Sequence, residues 1–566
     1  MKELIEDKSD VVIMGGGLAG LSLAIQLKNK APDASIMVIE KARFPRPEAA
    51  LKVGESTVEV GSHYFEKILG LKNILDQEIR KLGLRFFFTR DDNRDITLRT
   101  ELGPSHFLTV WSYQLDRGRF ENALAKHCEN LGINLISEAS VRDLELAKND
   151  SRVLFKKRGE THSLKAKWLV DASGRASLLK RKLGLAKSIK HNINAAWFRI
   201  AAKINVDDWS TDVEWQKRNE LTRYASTNHL YGKGYWTWLI ALSSGSTSIG
   251  IVADERIHPF NTINTFDKAR EWLKNYEPQC SDRIEEKIDL FQDFLCLKHF
   301  SYRCKQLYSE DGWCLTGDAG MFLDPLYSPG SDFVGMNNGF ITDIISKFLQ
   351  GQNISQEVHE HERTFRSIFS GFTPIYEDQY STMANSKVMS SKFVWDLMMY
   401  WGGIGPLFFN QKLTDIEFMN FARPILFDFF NLNVRMQDLY RAWTVLDDDQ
   451  QHPAGIFLDY AELPLIKQLN RDLLVLKEDE KLLKQLRENL KSAGELADEI
   501  YSEAIKDYSE LKDENVSTSS SSIAHLKGFY NEFTVCKYQP NPNAGPCSPD
   551  RSELSGLGNA SCATRL

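Results

Sequence analysis

The chain has 566 residues and a mass of 64.7 kDa, too long for one compact core of ordinary size, so several modules or one large α/β enzyme are expected. It is 42% hydrophobic, which supplies a sizeable core and excludes a wholly disordered protein. Lys and Arg number 70 against 77 Asp and Glu, a net charge of −7 with no dense basic tract, so nucleic-acid binding is not expected.

Val11-Val12-Ile13-Met14 is a short apolar run suited to a buried parallel strand. Gly15-Gly16-Gly17-Leu18-Ala19-Gly20 follows, then a helical pattern through Lys30, and a second run from Ser35 to Ile39 that ends at Glu40. This is a βαβ opening. Gly15 permits the tight turn, Gly17 lets the backbone approach a pyrophosphate, and Gly20 lets helix pack on strand. Leu18 and Ala19 open the helix whose positive end faces the phosphates. Glu40 stands 20 residues past Gly20, at a strand end, where it can accept bonds from ribose hydroxyls. The competing reading is a glycine-rich turn in some other α/β protein, but strand, helix, second strand and acid together favour dinucleotide binding.

The middle of the chain mixes strand-like runs, such as those at 167–175 and 246–254, with helical stretches. Residues 264–291 read as exposed amphipathic helix, and 335–370 as one long helix after a loop. From about 385 to 445 the chain is rich in Phe, Tyr, Trp and Met, and 460–512 is dense in Leu, Lys and Glu, as in amphipathic helices. The tail is rich in Ser, then Pro, Asn and Gly, and is expected to be disordered. None of the eight cysteines forms a CxxC pair, so no metal site is expected and the thiols suit a reduced, cytoplasmic enzyme. Neither a signal peptide nor an apolar run of 18 residues is found, so no membrane association is expected.

Further segments resemble the FAD-dependent monooxygenase superfamily. Thr316-Gly317-Asp318-Ala319-Gly320 resembles its GD motif, which implies that Asp318, with Gly317, meets a ribose of FAD. Arg117, in the segment Tyr113 to Phe120, is implied near the flavin diphosphate, the alternative being a surface salt bridge. Asp171-Ala172-Ser173-Gly174-Arg175 resembles the segment that closes over the nucleotide. The implied fold is α/β: an FAD-binding Rossmann-like (GR2-type) domain over 1–385, interleaved with an antiparallel-sheet substrate domain (about 85–115 and 190–300). A helical capping region at 386–512 and a low-complexity tail at 513–566 complete it.

Over roughly residues 8–445 the resemblance narrows to the flavin-dependent halogenases. Val53-Gly54-Glu55-Ser56-Thr57 looks like their GES/GEAT segment, which implies a mobile strap of Glu55, Ser56 and Thr57 against the flavin. Trp236-Thr237-Trp238-Leu239-Ile240 resembles their WxWxIP signature, with Ala241 in place of proline. Asp324-Pro325-Leu326-Tyr327-Ser328-Pro329-Gly330 looks like their DPLxSxG loop, which places Pro325 and Gly330 at the flavin, and Ser328, Gly330 and Ser331 at the halide. Lys81 lies 24 residues past Thr57 and before an aromatic strand, as the halogenase lysine does. The family chemistry implies that reduced FAD and O2 form a C4a-hydroperoxide, that chloride or bromide attacks it to give hypohalous acid, and that Lys81 relays the halogen. Lysine suits this because burial tunes its pKa; the bland alternative is a solvated helix-face lysine. Trp236 and Trp238 fall on one strand face, either screening flavin from substrate or filling the core.

Two departures matter. Tyr327 replaces the acid of the tryptophan-directed members, which shifts the expectation to a phenol- or pyrrole-like aromatic, free or tethered to a carrier protein. Pro329 lacks an N–H in the halide loop, and Asp332 is a carboxylate close by. A separate flavin reductase is expected, because no second glycine-rich nucleotide site is found. The alternatives are an FAD-dependent monooxygenase or oxidative desaturase without a halide requirement, and a flavin-binding scaffold without catalysis.

Overall fold

The structure, a computed structural model, describes residues 7–49, 51–447 and 452–508. The tail expected from 513 onward lies outside the described residues. Two sheets organise the chain. In the first, the parallel core runs in the order Trp313–Leu315, Glu160–Asp171, Asp7–Met14, Ile36–Ile39, Asn134–Ile136. The short strand Tyr308–Ser309 closes one edge, and a hairpin of Ala139–Glu145 and Ser151–Lys157 pairs against Glu160–Asp171. Val11, Val12 and Ile13 are fully buried, as a strand covered on both faces requires. The helix Leu18–Lys30 packs on this sheet and against a later helix, Gly330–Leu349.

The second sheet has eight strands, in the order Phe291–Leu297, Ile193–Ile200, Thr247–Asp254, Tyr235–Ala241, Thr227–Gly232, Leu84–Phe88, Glu101–Gly103, Phe457–Asp459. It is mostly antiparallel, with parallel pairings of Thr227–Gly232 on Leu84–Phe88 and of Phe457–Asp459 on Glu101–Gly103. Alternation along each strand separates two cores. Phe86, Phe88, Trp236 and Trp238 face the main core shared with the first sheet, whereas Phe87, Tyr235 and Leu239 face a smaller one. Helices Phe266–Tyr276 and Pro278–Glu285 close that smaller core through Trp272, Leu273 and Ile284.

Some expectations change. The single helix read at 264–291 is two, because Pro278 has no N–H to continue the first and starts the second, and residues from Phe291 join the sheet. The helix read at 335–370 is also two, Gly330–Leu349 and Ser355–Phe372, separated by a turn at Gly351 with φ +79°. The first begins five residues before the expected start, so the halide-loop residues Gly330 and Ser331 are its opening turn. The C-terminal half contributes helices Ser386–Met399, Ile416–Leu446, Pro464–Asp472 and Asp479–Asp507, and also the sheet's edge strand Phe457–Asp459. No described helix is long and apolar enough to cross a membrane.

Candidate active site

The parallel strands of the first sheet end in register, with Met14 beside Ile39 and Asp171, and Asp171 beside Leu315. Each sequence-predicted nucleotide segment leaves from one of these carboxyl ends, where ligands bind in open α/β sheets. Gly15 has φ +119°, and a Cβ there would lie 2.2 Å from the Ala172 carbonyl oxygen. A Cβ on Gly20 would lie 1.9 Å from the Gly15 oxygen. Gly17 differs: the nearest atom to its Cβ position would be Lys52 Nζ at 3.9 Å. The first two glycines serve the protein's own close packing, and the third borders an open cradle at the helix start. Gly317 (φ +58°) brings its loop against Ala19.

Glu40 accepts the Gly16 N–H at 2.7 Å and the Ala42 N–H at 2.8 Å. Arg46 pairs with Glu40 and, at 2.8 Å, with the buried Glu121. Arg117 donates to Glu121 at 2.5 Å and to the Val53 carbonyl at 2.7 Å. Burial alone would raise the Glu121 carboxyl, but Arg117, Lys52 and Arg46 outweigh it and hold the group below its ordinary range. Three cations thus face two carboxylates beside the cradle, a net positive charge suited to a diphosphate. Arg117 is no surface ion pair. The Asp318 carboxylate makes no hydrogen bond among the described residues, which leaves it open to a ribose hydroxyl. Asp171 behaves otherwise: its oxygens accept from Ser173 N and Oγ and from Leu179 N, so it shapes the loop. The open cradle, the positive cluster and the unbonded acid fit FAD.

Beyond the cradle, residues 55–57 are not a loose strap. Thr57 exchanges hydrogen bonds with Tyr113, Ser56 bridges to Gln114, and Leu115 N donates to the Glu55 carbonyl at 2.6 Å. Glu55 is fully enclosed near Arg199, and burial pushes its carboxyl up to about 7. Lys81 ends the strand Ile79–Lys81, antiparallel to Ser112–Gln114. It is 1% exposed, which removes the solvated helix-face reading. Its Nζ donates to Ser56 Oγ at 2.8 Å and to the Thr57 carbonyl at 2.7 Å. The side chain borders an apolar cavity of about 80 Å³, room for roughly six waters. Burial brings the amine down to about 7, against the pull of Glu59 and Asp332.

Residues 8–224 match the family described as FAD binding domain. The chain is 26% identical over 442 residues to flavin-dependent halogenase chlA of Dictyostelium discoideum, covering 71% of each chain. It is 29% identical over 355 residues to a 1H-pyrrole-2-carbonyl-[peptidyl-carrier protein] brominase of Pseudoalteromonas luteoviolacea, covering 61% of this chain and 79% of that protein. The chain is thus similar to flavin-dependent halogenases and carries an FAD binding domain. It is an FAD-dependent oxidoreductase. Its fold matches the crystal structure of halogenase PltM in complex with phloroglucinol and FAD, with a TM-score of 0.60 at 17% identity over 89% of this chain and 96% of that one.

The two tryptophans of the family signature are 2–3% exposed with ring centroids 5.6 Å apart. Trp236 Nε1 donates to Tyr380 Oη at 3.0 Å, and Tyr380 donates to Asp324 at 2.9 Å, so this indole is tied to the Asp324–Gly330 loop. Trp238 Nε1 donates to Ser248. Neither indole borders the Lys81 cavity. In the loop, Ser328 N donates to the Pro325 carbonyl at 2.9 Å, and Tyr327 and Ser328 both adopt φ above +60° without being glycine. Two successive left-handed residues are strained backbone of the kind held at functional sites. Pro329 is the N-cap of helix Gly330–Leu349. The donors lacking intrahelical partners are therefore the N–H groups of Gly330, Ser331 and Asp332, with the positive end of the helix behind them. A Cβ on Gly330 would meet nothing within 4 Å, and Ser331 Oγ is buried without a partner.

Asp332 does not stand as a bare carboxylate. It accepts from Gly61 N at 2.7 Å and from Tyr400 Oη at 2.8 Å, and burial pushes it up to about 8 despite those bonds. Burial thus disfavours its ionised form, which lessens the repulsion of chloride expected from sequence. Sequence reasoning missed Glu59, which borders the same cavity and accepts from Trp401 Nε1 at 3.0 Å. Burial raises its carboxyl, with Lys81 pulling it down. It also missed Glu121, although Arg117 and Glu121 stand at the i, i+4 spacing of a helical ion pair.

Proposed function

We propose that this enzyme halogenates an electron-rich aromatic of phenol or pyrrole type, with Lys81 delivering the halogen. When bound, reduced FAD supplies an oxidant at the level of hypohalous acid from O2 and chloride or bromide. The protein's own task is to confine that oxidant and present it to carbon. A buried amine at the wall of a largely apolar cavity suits this, because it can hold the oxidant at one fixed point. With its pKa near 7 the amine has a lone pair available at neutral pH, and as ammonium it donates hydrogen bonds. Gly15, Gly17, Gly20, Glu40, Arg117 and Asp318 are proposed to hold the cofactor, and Gly330 and Ser331 the halide. Reduced flavin would come from a separate reductase. The substrate is free or carried on a protein; the carrier-bound case draws on what the name of the brominase relative states.

The burial of Lys81 at the cavity wall carries this reading. The test is mass spectrometry of products from enzyme, reduced FAD, O2 and bromide with a panel of phenols, pyrroles and carrier-bound analogues. A paired bromine isotope pattern is expected, lost in Lys81→Ala while FAD stays bound. Normal product from that variant would remove Lys81 from the mechanism. The missing N–H of Pro329 favours a second reading, halide-independent oxygenation; an oxygenated product whose yield ignores bromide would establish it instead.

A further inference from the structure

One short segment meets the Lys81 cavity twice. The Thr57 carbonyl accepts from Lys81 Nζ at 2.7 Å, and Glu59, just beyond it, borders the cavity itself. One Glu59 oxygen accepts from Trp401 Nε1 at 3.0 Å. The other takes no hydrogen bond from any other described residue, although a carboxylate has about four acceptor sites. Tyr400, next to Trp401, accepts from Val60 N at 2.9 Å, so the turn that holds Glu59 also holds the residue after it.

The other carboxyls of the wall are occupied. Asp332 accepts from Gly61 N with one oxygen and from Tyr400 Oη with the other. Asp396 accepts from Lys392 Nζ at 2.6 Å and, through its second oxygen, from Gln437 Nε2 at 2.8 Å. Tyr327, Tyr376 and Ser112 present neutral hydroxyls, which hold an added proton far more weakly than a carboxylate does. His106 lies at the half-open rim, against Ser105 and Glu462. Among the described residues of the wall, Glu59 is therefore the carboxyl with an oxygen left over for a ligand.

Halogenation of an aromatic ring calls for a second group besides the one that delivers the halogen. As the carbon–halogen bond forms, the ring carbon becomes tetrahedral, with the halogen on one face of the ring and the hydrogen on the other. The departing proton points away from the delivering amine, so its acceptor must stand apart from Lys81. Lys81 and Glu59 both border the cavity and are not joined in an ion pair. Burial brings the amine down to about 7 and raises the carboxyl, each resisted by the other's charge. Burial thus favours the neutral pair, amine and carboxylic acid, and that is the form in which the reaction would leave them.

We propose that Glu59 accepts the proton that the aromatic ring loses when Lys81 delivers the halogen. The assignment deepens the halogenase reading and rests on it. The oxidant is hypohalous acid held by the Lys81 ammonium. An electron pair of the ring forms the carbon–halogen bond as the halogen–oxygen bond breaks, and the released hydroxide takes a proton from the ammonium and leaves as water. The ring carbon–hydrogen bond then breaks, its electron pair restores the aromatic ring, and the proton passes to the free Glu59 oxygen. In sum, the ring carbon is oxidised, the halogen is reduced, and ring C–H plus hypohalous acid become ring C–halogen plus water. Passage of the proton from Glu59 to the amine restores the starting pair. Trp401 is a positioning residue that holds the carboxylate at the cavity wall.

The test is bromination by the FAD-loaded enzyme, with reduced FAD, O2 and bromide, of a phenol that wild type accepts from the panel above, against its ring-deuterated form. Glu59→Gln keeps an acceptor for Trp401 Nε1 and removes the base. It should lower kcat about 100-fold or more while KM stays within about 3-fold. A primary deuterium isotope effect should appear in this variant and be absent from wild type, because loss of the ring proton has become the slow step. Glu59→Asp should recover part of the rate and show a smaller isotope effect; should Glu59→Gln fail to fold, this variant carries the test through the same two readouts. Wild-type turnover in the variants, or slowing that is the same for both ring isotopes, would overturn the role of Glu59 and leave the halogenase reading standing. A wild type that brominates no member of the panel would overturn the halogenase reading, and the role with it.

Discussion

Gly17 and Gly20 belong to one motif, but the structure gives them different work, and substitution by alanine separates it. A Cβ at Gly20 would sit 1.9 Å from the Gly15 carbonyl oxygen and 3.1 Å from its carbon. Backbone at a strand–helix junction cannot yield by more than an ångström cheaply, so Gly20→Ala is expected to destabilise the apo-protein by about 3 kcal/mol or more. Gly17 has φ −88° and ψ −172°, open to any residue, and its Cβ would have only Lys52 Nζ nearby, at 3.9 Å. As an N-cap, Gly17→Ala should change apo stability by about 1 kcal/mol at most. Its methyl group, however, occupies the space where a diphosphate would meet the first helical N–H groups. Loss of one charge-assisted hydrogen bond there removes about 1.5–3 kcal/mol of binding, roughly a 10- to 150-fold weakening. Urea denaturation of the apo-proteins and titration with FAD, read by quenching of flavin fluorescence, separate the two effects. A Gly17→Ala protein with wild-type FAD affinity, or one as unstable as Gly20→Ala, would refute the assignment of the cradle.

Two further outcomes concern stability. Glu277 is 1% exposed and accepts from both terminal nitrogens of the buried Arg99 and from Tyr235. Glu277→Ala leaves that guanidinium without a counter-charge and should cost about 3–5 kcal/mol in urea denaturation, most of it regained with Arg99→Met added; a loss under about 1 kcal/mol would show that the pair does not bear on the fold. Asp332 is raised in the folded state from 3.8 to about 8, so between those values the native protein binds more protons than the unfolded chain. Its contribution is present below pH 4 and declines as pH rises toward 8, at up to roughly 1.4 kcal/mol per unit. Asp332→Asn keeps an acceptor for Gly61 and should flatten this slope; an unchanged pH profile would mean that Asp332 is ionised in the native state.

Local chemistry was legible in the sequence, and convergence was not. The strand, the Gly15–Gly20 turn, the helix and the second strand ending before Glu40 were legible because one βαβ unit contains them. Lys81 was found by its place in the chain, but the groups that tune it were not. Asp332 reaches Gly61 across 271 positions, and Trp401 reaches Glu59 across 342. No periodicity encodes such meetings; they follow from how the helices of the C-terminal half close over the second sheet. The same closure explains the edge strand Phe457–Asp459, a three-residue run too short to stand out from helical surroundings. Glu59 carried a faint signal, a charged residue two positions beyond Thr57 in an otherwise apolar stretch. Arg85, Glu101 and Arg223, all within 1% of full burial, gave none, since only the sheet brings them together.

The proline in the halide loop illustrates how placement changes the weight of a residue. Read as a loop position, Pro329 removes a donor that the anion needs, a loss of about 1.5–3 kcal/mol for a bond to a charged group. The structure makes it the N-cap of a 20-residue helix, where a missing N–H is least disruptive and the next three N–H groups remain unpaired by the helix itself. The helix dipole adds roughly 0.3–2 kcal/mol for an anion at that end. With the ionised form of Asp332 disfavoured by burial and its oxygens turned to Gly61 and Tyr400, its repulsion offsets little of this gain. Under the halogenase reading the two effects are of similar size and opposite sign. Pro329 therefore weakens the hold on halide without abolishing it, and the enzyme should need more bromide for half-maximal rate than a relative with an N–H donor at that position.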